Sequence, residues 1–564
     1  MAKPTLDIDQ NADQGTQESP DDPYERVAQT FPRLDQDTVA RIAAYGAEEV
    51  IAQDTLIFER GQRSIDFFVL LAGEVEIFEI DEHGQSQTVT VHHAGQFTGE
   101  LHLLNGRQSL VSGRTRVETR VIRIEPAAFR RLISAEPDIA EVILRALILR
   151  RVGSLKHSRG AISVIGSGHG GDTLRIQRFL SRNAYPFRLL DIDTDPHARD
   201  LIEDCTLTPE QFPVVLSPGK PALFNPGNAA LADALGLAET LDSQRIYDLA
   251  VVGAGPAGLA AAVYGASEGL DTIVIESLAP GGQAGTSSKI ENYLGFPTGI
   301  SGAALAGRAQ VQAMKFGANL AISRAVTGLD CEESPYTLRL EDGQTLRARS
   351  IIVATGVRYR KLDLPNYDDF EGQGIHYAAT PIEQKLCLNE EVVVVGGGNS
   401  AGQAAVFLSR SVAHVHILVR GHGLAATMSD YLVQRLMSSP KVTLHARSEV
   451  TALEGKPFLQ QVTFTHRDTG ASTTRPVSNL FVMIGAEPNT DWLDGCLELD
   501  RTGFVKTGYD TNGQLLRSAY ATTLPGVYAV GDVRSGSVKR VASSVGEGSV
   551  VVQAIHQYLH PEPV

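Results

Sequence analysis

The segment D-L-A-V-V-G-A-G-P-A-G-L-A-A-A, starting at Asp248, constrains the fold of this chain more than any other feature. An apolar run of strand character passes directly into Gly253, Gly255 and Gly258 and then into an alanine-rich helix. Each glycine has a physical task in such a turn. The first makes the tight bend, the second lets the backbone approach a pyrophosphate, and the third lets helix pack on strand. Pro256 and Ala257 open the helix, whose N-terminal N–H groups favour an anion. Glu276 ends the next strand, D-T-I-V-I-E, where a carboxylate accepts hydrogen bonds from an adenosine ribose.

A second copy follows as E-E-V-V-V-V-G-G-G-N-S-A-G, with Gly396, Gly398 and Ala401 in the loop roles and Asn399 and Ser400 beginning the helix. Where the first copy has its acid, the second has Val419 followed by Arg420. A guanidinium pairs with a ribose 2′-phosphate that a carboxylate would repel, so this site is expected to take NADPH over NADH. The competing reading of Arg420 is a solvated surface charge. Two dinucleotide folds in one chain suggest one tightly held redox cofactor and one exchangeable hydride donor.

With 564 residues and 43% hydrophobic content, the chain has room for several domains with real cores. A formal charge of -16 argues against a nucleic-acid surface, which needs clustered Lys and Arg. No apolar run of about 20 residues suggests a membrane span, and no secretory leader is evident, so the expected location is the cytoplasm. Cys205, Cys331, Cys387 and Cys496 lie far apart, with neither C-x-x-C nor metal-ligand spacing.

The expected fold class is multidomain α/β, with five segments. Residues 1–22, rich in Asp, Gln and Pro, read as a disordered acidic tail. Residues 23–151 hold short glycine-punctuated strands in which Val75 and Ile77 alternate with Glu74 and Glu76, the period of a half-buried strand in a small antiparallel roll. Helices over Leu132–Arg151 close it and hand over to a basic linker, Arg150–Arg159. Residues 160–238 read as a compact βαβ unit followed by a hairpin. The two Rossmann-like dinucleotide folds fill the remainder.

Further segments point to a family. They are G-G-Q-A at Gly281–Ala284, I-E-N-Y-L-G-F-P at Ile290–Pro297, A-T-G at Ala354–Gly356, F-V-M-I-G-A-E-P-N-T from Phe481, and P-G-V-Y-A-V-G-D-V at Pro525–Val533. Together with the two loops they resemble the thioredoxin reductase family of flavoenzymes, from about Asp248 to the C-terminus. The resemblance implies an FAD domain at residues 245–367 and 482–564, interrupted by an NADP domain at 368–481, and a homodimer. It implies FAD contacts at Gly253, Gly255, Pro256, Ala257, Gly258 and Glu276, then at Gly282, Gln283, Asn292, Thr355 and Gly356. Gly531, Asp532, Val541 and Ala542 would complete the site, with Asp532 holding the ribityl chain. NADP would meet Gly396, Gly398, Asn399, Ser400, Ala401, Arg420 and Gly485.

The chain departs from that family at the residues that give it its name. Where thioredoxin reductases carry Cys-Ala-Thr-Cys-Asp, this chain reads Tyr377-Ala378-Ala379-Thr380-Pro381-Ile382, with Ala378 and Pro381 at the cysteine positions and Glu383 one place beyond the acid. Neither Ala nor Pro supplies a thiolate for dithiol exchange. His376 and Glu383 are candidates for proton transfer beside the flavin, with an ordinary loop histidine as the competing reading of His376.

The two front modules also carry resemblances. F-F-V-L-L-A-G at Phe67–Gly73 and F-T-G-E-L-H-L-L-N-G-R-Q-S from Phe97 are similar to cyclic nucleotide-binding domains. That likeness implies a regulatory ligand site at Gly99, Glu100, Arg107 and Ser109, with Glu100 on the ribose and Arg107 on the cyclic phosphate. A structural Glu100–Arg107 ion pair is the alternative. Residues 160–238 resemble a glutaredoxin or thioredoxin-like domain, with Pro213 at the place of its cis proline and Ser167-Gly168-His169-Gly170-Gly171-Asp172-Thr173 in place of the catalytic cysteines. Cys205 reads as a buried inert thiol.

Three functions follow. The first is an FAD-dependent NAD(P)H oxidoreductase with an unknown electron acceptor. The second is a ligand sensor in which cyclic nucleotide controls partner association on a vestigial flavin scaffold. The third has the nucleotide domain gate the reductase.

Overall fold

The computed structural model describes residues 22–561, apart from 81–84, 106, 159, 196–210, 238–240, 457 and 494. The expected acidic tail and Cys205 lie outside the described residues. The chain forms two compact units, one comprising residues up to Gly166 with Asn183–Thr240 and Met314–Ser323, the other Ser167–Arg182, Leu241–Ala313 and Arg324–Val564.

The first unit begins with two antiparallel sheets. One places strand Thr119–Ile124 between Ala47–Ile51 and Phe67–Ala72. The other orders Leu56–Phe58, Ser112–Thr115, Glu74–Ile80 and Ser86–His93. Phe67, Phe97 and Phe129 are fully buried, with Phe67 5.4 Å from Phe97 and 4.8 Å from Phe129 between ring centroids. Helices Pro126–Ala135 and Pro137–Lys156 follow, each opened by a proline whose missing N–H costs nothing at that position.

Two sequence expectations fail here for one reason. Glu76, read as a solvent-facing strand residue, is 4% exposed and accepts hydrogen bonds from Arg114 (2.8 Å) and Arg116 (3.3 Å). Arg150 and Arg151, where the expected closing helix overlaps the expected basic linker, lie inside the helix Pro137–Lys156, which runs on past them, and are buried. Arg150 donates to the carbonyls of Thr30 (2.9 Å), Phe97 (3.2 Å) and Gly99 (3.0 Å), and its guanidinium lies over the Phe97 ring. These charges are buried where other chain segments supply partners, which composition does not reveal.

A third sheet in this unit centres on Ile162–Gly166, parallel to Phe187–Asp191 and antiparallel to Val214–Leu216, which pairs in turn with Leu223–Phe224. The Phe212–Pro213 peptide is cis, as the sequence suggested.

In the second unit, strand Ile246–Val252 lies parallel to Thr272–Glu276 on one side and to Thr345–Val353 on the other. Thr345–Val353 also pairs with Val527–Ala529, parallel, and with Tyr336–Leu340, antiparallel. Near-continuous Val, Ile and Ala make these strands suitable for burial on both faces. Helices Pro256–Ser267 and Val541–Leu559 belong to the same fold. The second dinucleotide fold is a five-stranded parallel sheet in the order Ile375–His376, Leu480–Val482, Glu391–Val395, His414–Leu418, Val442–His445. The chain enters and leaves it through Val357–Tyr359 and Ala486–Pro488, which pair antiparallel. Among the described residues, no helix is long and apolar enough to cross a membrane.

Candidate functional site

A cavity of about 730 Å³ opens at the carboxyl end of strand Ile246–Val252, where dinucleotides bind in open α/β sheets. Local geometry explains the glycines. A Cβ on Gly258 would lie 1.9 Å from the Gly253 carbonyl oxygen, so the helix meets the turn only through hydrogen. A Cβ on Gly255 would meet nothing, because this residue faces the cavity. Glu276, 9% exposed, accepts from the N–H of Ala254 (2.8 Å) and of Leu278 (3.0 Å), which fixes its carboxylate beside the loop.

The structure gathers Gly253, Gly255, Pro256, Ala257, Glu276, Gly282, Gln283, Asn292, Thr355 and Gly356 on this cavity, together with Gly531, Asp532, Val541 and Ala542. Gly258 stands behind the lining, consistent with its packing role. Burial pushes the Asp532 carboxyl up, and among the described residues it has no hydrogen-bond partner. A half-buried carboxylate in that state suits a polyhydroxylated ligand that donates to it. Together with the open face of Gly255, this makes the residues fit an adenine dinucleotide such as FAD.

Sequence reasoning missed several lining residues. Arg182, at the end of helix Gly171–Arg182, donates to the Gly282 carbonyl (3.1 Å), and burial pulls its guanidinium down. Tyr359 and Tyr377 stack with centroids 5.4 Å apart and planes 4° from parallel, walling the cavity next to Ala378 and Ala379. Trp492 lines it from the short helix Asp491–Leu493. These residues belong to no local motif, and only the tertiary fold brings them together.

From the second glycine loop, Asn399 and Ser400 line this same cavity, joined by Gln403 and Ala404. Gly396, Gly398, Ala401, Arg420 and Gly485 do not. Gly396 has φ +140°, and a Cβ there would lie 2.3 Å from the Met483 carbonyl oxygen, so the turn itself requires glycine. Gly485 has φ +101° and accepts from the Arg360 N–H (3.1 Å). Asn399 uses its side-chain oxygen to accept from Ser429 N–H (2.7 Å). Arg420 is exposed after strand His414–Leu418 and, among the described residues, forms no ion pair.

His376 and Glu383 are placed away from the cavity, although neighbouring Tyr377 and Ala378 line it. Both are 2% exposed. Arg178 bridges them, donating from Nε to Glu383 (2.8 Å) and from Nη2 to His376 Nδ1 (3.0 Å). His376 Nε2 then donates to Asn479 (2.9 Å), and Asn479 to Glu390 (3.1 Å). Burial, then the Arg178 charge, hold His376 well below the usual imidazole range. Glu383 also accepts from Thr380 N–H (2.9 Å) in a capping box that starts helix Pro381–Leu386. The arrangement braces the fold and leaves neither group facing the cavity.

In the first unit, Gly99, Glu100, Arg107 and Ser109 cluster in the short stretch after Phe97, with Glu100, Arg107 and Ser109 buried. Glu100 does not pair with Arg107. Its carboxylate accepts from Arg151 Nη1 (2.9 Å) and lies 3.5 Å from His102 Nδ1. Burial raises the Glu100 carboxyl, but Arg151 and His102 outweigh it and hold the group at about 2. Arg107 donates to the Asn183 carbonyl (3.2 Å), and Ser109 to that of Val111 (2.7 Å).

Among the described residues, Cys331 and Cys496 form a disulfide that the sequence spacing did not suggest, and Cys387 is free and buried.

Comparison with known proteins agrees with this architecture. Residues 247–548 match the family described as pyridine nucleotide-disulphide oxidoreductase, and residues 48–136 match the cyclic nucleotide-binding domain. A thioredoxin reductase of Mycoplasmopsis pulmonis is 32% identical over 311 residues, covering 55% of this chain and 96% of that protein. The NADPH-dependent thioredoxin reductase 3 of Arabidopsis thaliana is 32% identical over 321 residues, 56% of this chain and 58% of that protein. Among solved structures, the thioredoxin reductase of Lactococcus lactis is similar with a TM-score of 0.51 and 28% identity, over 56% of this chain and 99% of that one.

Proposed function

This chain belongs to the pyridine nucleotide-disulphide oxidoreductase family and is a thioredoxin reductase-like FAD-dependent oxidoreductase; we propose that it draws hydride from NADPH and passes electrons to an acceptor other than a Cys-x-x-C disulfide. The observation that carries this reading is the shared cavity, lined by residues of both glycine-loop folds. Bound FAD supplies a two-electron acceptor for hydride. The turn Gly253–Gly258 and its helix N-terminus hold the pyrophosphate, Glu276 orients the adenosine ribose, and Asp532 accepts from the ribityl chain. Asn399 and Ser400 position the second dinucleotide, and Arg420 recognises its 2′-phosphate. Tyr377, Ala378 and Ala379 occupy the wall beside the Tyr359 stack, where no thiol is offered. Stopped-flow mixing with NADPH and with NADH tests the reading: flavin absorbance should bleach, faster with NADPH, and no bleaching with either would overturn it.

A second reading is favoured by a separate observation. The cyclic nucleotide-binding domain matched at residues 48–136 carries Glu100 and Arg107, which supports nucleotide control of the reductase. A ribose reaching Glu100 would meet a carboxylate already held by Arg151 of helix Pro137–Lys156, which supports a coupling between binding and that helix. Turnover measured with saturating cyclic AMP and cyclic GMP decides it, and unchanged turnover with both argues against gating. The sheet centred on Ile162–Gly166, read as thioredoxin-like without catalytic cysteines, has a docking or bracing role in this scheme.

A further inference from the structure

The disulfide Cys331–Cys496 joins two distant parts of the flavin fold. Its Cα atoms are 6.0 Å apart and its sequence separation is 165 residues, so the bond spans the whole inserted dinucleotide fold. Cys331 follows strand Val326–Asp330, and Cys496 follows the short helix Asp491–Leu493. Both cysteines are half-buried, so neither is sealed in the core. Cys387 is the contrast: it is fully buried, and burial pushes its thiol far up, which makes it inert.

The stretch leading to Cys496 is also the wall of the flavin cavity. Asn489 and Trp492 line that cavity. Asn489 is tied to Thr355 by two hydrogen bonds, Thr355 Oγ1 to the Asn489 carbonyl (2.8 Å) and Asn489 Nδ2 to the Thr355 carbonyl (3.0 Å). The Trp492 indole N–H donates to the same Asn489 carbonyl (3.2 Å). At the far end the disulfide is the covalent tie. Leu329, Leu493 and Leu497 are buried on either side of it.

We propose that Cys331–Cys496 is a thiol–disulfide exchange site that takes a dithiol as its partner, and that its state sets the placement of Trp492 in the cavity wall. A thiolate of the dithiol attacks one sulfur, the Cys331–Cys496 bond breaks, and the released cysteine takes up a proton. The second thiol of the partner then displaces the remaining cysteine. Two electrons pass from the dithiol, which ends as its own disulfide, and both cysteines end as thiols. The exchange needs no electrons from the flavin, so it stands or falls apart from the reductase reading.

The full chain, purified without reductant and blocked with iodoacetamide, is treated in its native state with graded dithiothreitol. It is then labelled with N-ethylmaleimide and mapped by mass spectrometry. Cys331 and Cys496 should acquire the second label together while Cys387 does not. The fluorescence of Trp492, the chain's single tryptophan, should shift to the red and become easier to quench with acrylamide as they do. In C331S/C496S the emission should match the reduced state and ignore dithiothreitol. The proposal is overturned if iodoacetamide alone labels both cysteines, if the pair exchanges only in urea, or if it is reduced without change in Trp492 emission or quenching. The wild-type labelling and emission decide the matter even if the double variant does not fold.

Discussion

Glu100 holds Arg151 at 2.9 Å with both residues buried, joining the loop after Phe97 to the helix Pro137–Lys156. Removing one member strands the other charge in the interior. Arg151→Met should therefore destabilise the first unit by about 3–5 kcal/mol, read as a lower urea midpoint. The pair also sets a pH dependence. Burial opposes the Glu100 charge, yet Arg151 and His102 prevail and hold the group at about 2, below its ordinary 4.5. Its contribution is fully present above that ordinary value and is lost as pH falls toward 2. Glu100→Gln should flatten that part of the urea-midpoint profile.

Two glycines of the first loop should separate fold from ligand. Gly258→Ala pushes a methyl into the Gly253 carbonyl and should lower the melting temperature. Gly255→Ala meets no protein atom, so the chain should fold normally but purify with flavin bound about tenfold more weakly, since the methyl stands where backbone approaches pyrophosphate. Flavin retained at wild-type affinity in Gly255→Ala would count against the cofactor assignment.

Arg420 is exposed and without an ion-pair partner among the described residues, so its replacement should leave stability unchanged. Charge-assisted contacts to phosphate contribute about 1.5–3 kcal/mol, so Arg420→Ala should raise the KM for NADPH about tenfold and leave that for NADH unaffected. Equal effects on both would show that the 2′-phosphate is recognised elsewhere.

His376 is neutral at neutral pH because burial, then Arg178, disfavour its charged form. Its folded value lies below its ordinary 6.5, so the unfolded chain binds the extra proton first. Stability from this residue is complete above about 6.5 and declines as pH falls below it. His376→Gln should reduce the loss of stability on acidification, measured as urea midpoints between pH 7 and pH 5. Because the ring faces Arg178 and Asn479 rather than the cavity, flavin reduction by NADPH should keep its pH profile in that variant.

The sequence discloses whatever is written into contiguous residues. Gly253, Gly255 and Glu276 follow strand-turn-helix rules within one stretch, so the turn between strand Ile246–Val252 and helix Pro256–Ser267 is legible in the sequence. Glu100 stands out in the stretch after Phe97, but its partner does not, because Arg151 comes from a helix about fifty residues further along the chain. Glu76 was misread for the same reason: a charge in an alternating strand suggests solvent until Arg114 and Arg116 are seen across the sheet. Arg182, Tyr359 and Trp492 enter the cavity from three separate elements, and Cys331 meets Cys496 across the inserted fold. Such contacts depend on how the chain returns on itself, which spacing along it does not record.

Strands Val357–Tyr359 and Ala486–Pro488 pair antiparallel, so Val357 sits opposite Pro488 at the point where the chain leaves one dinucleotide fold and comes back to it. The two cut ends would already be neighbours if everything between were excised, and a tight turn could rejoin them. The inserted fold thus hangs from its host at a single seam, and taking it out would leave the host sheet's strands where they are.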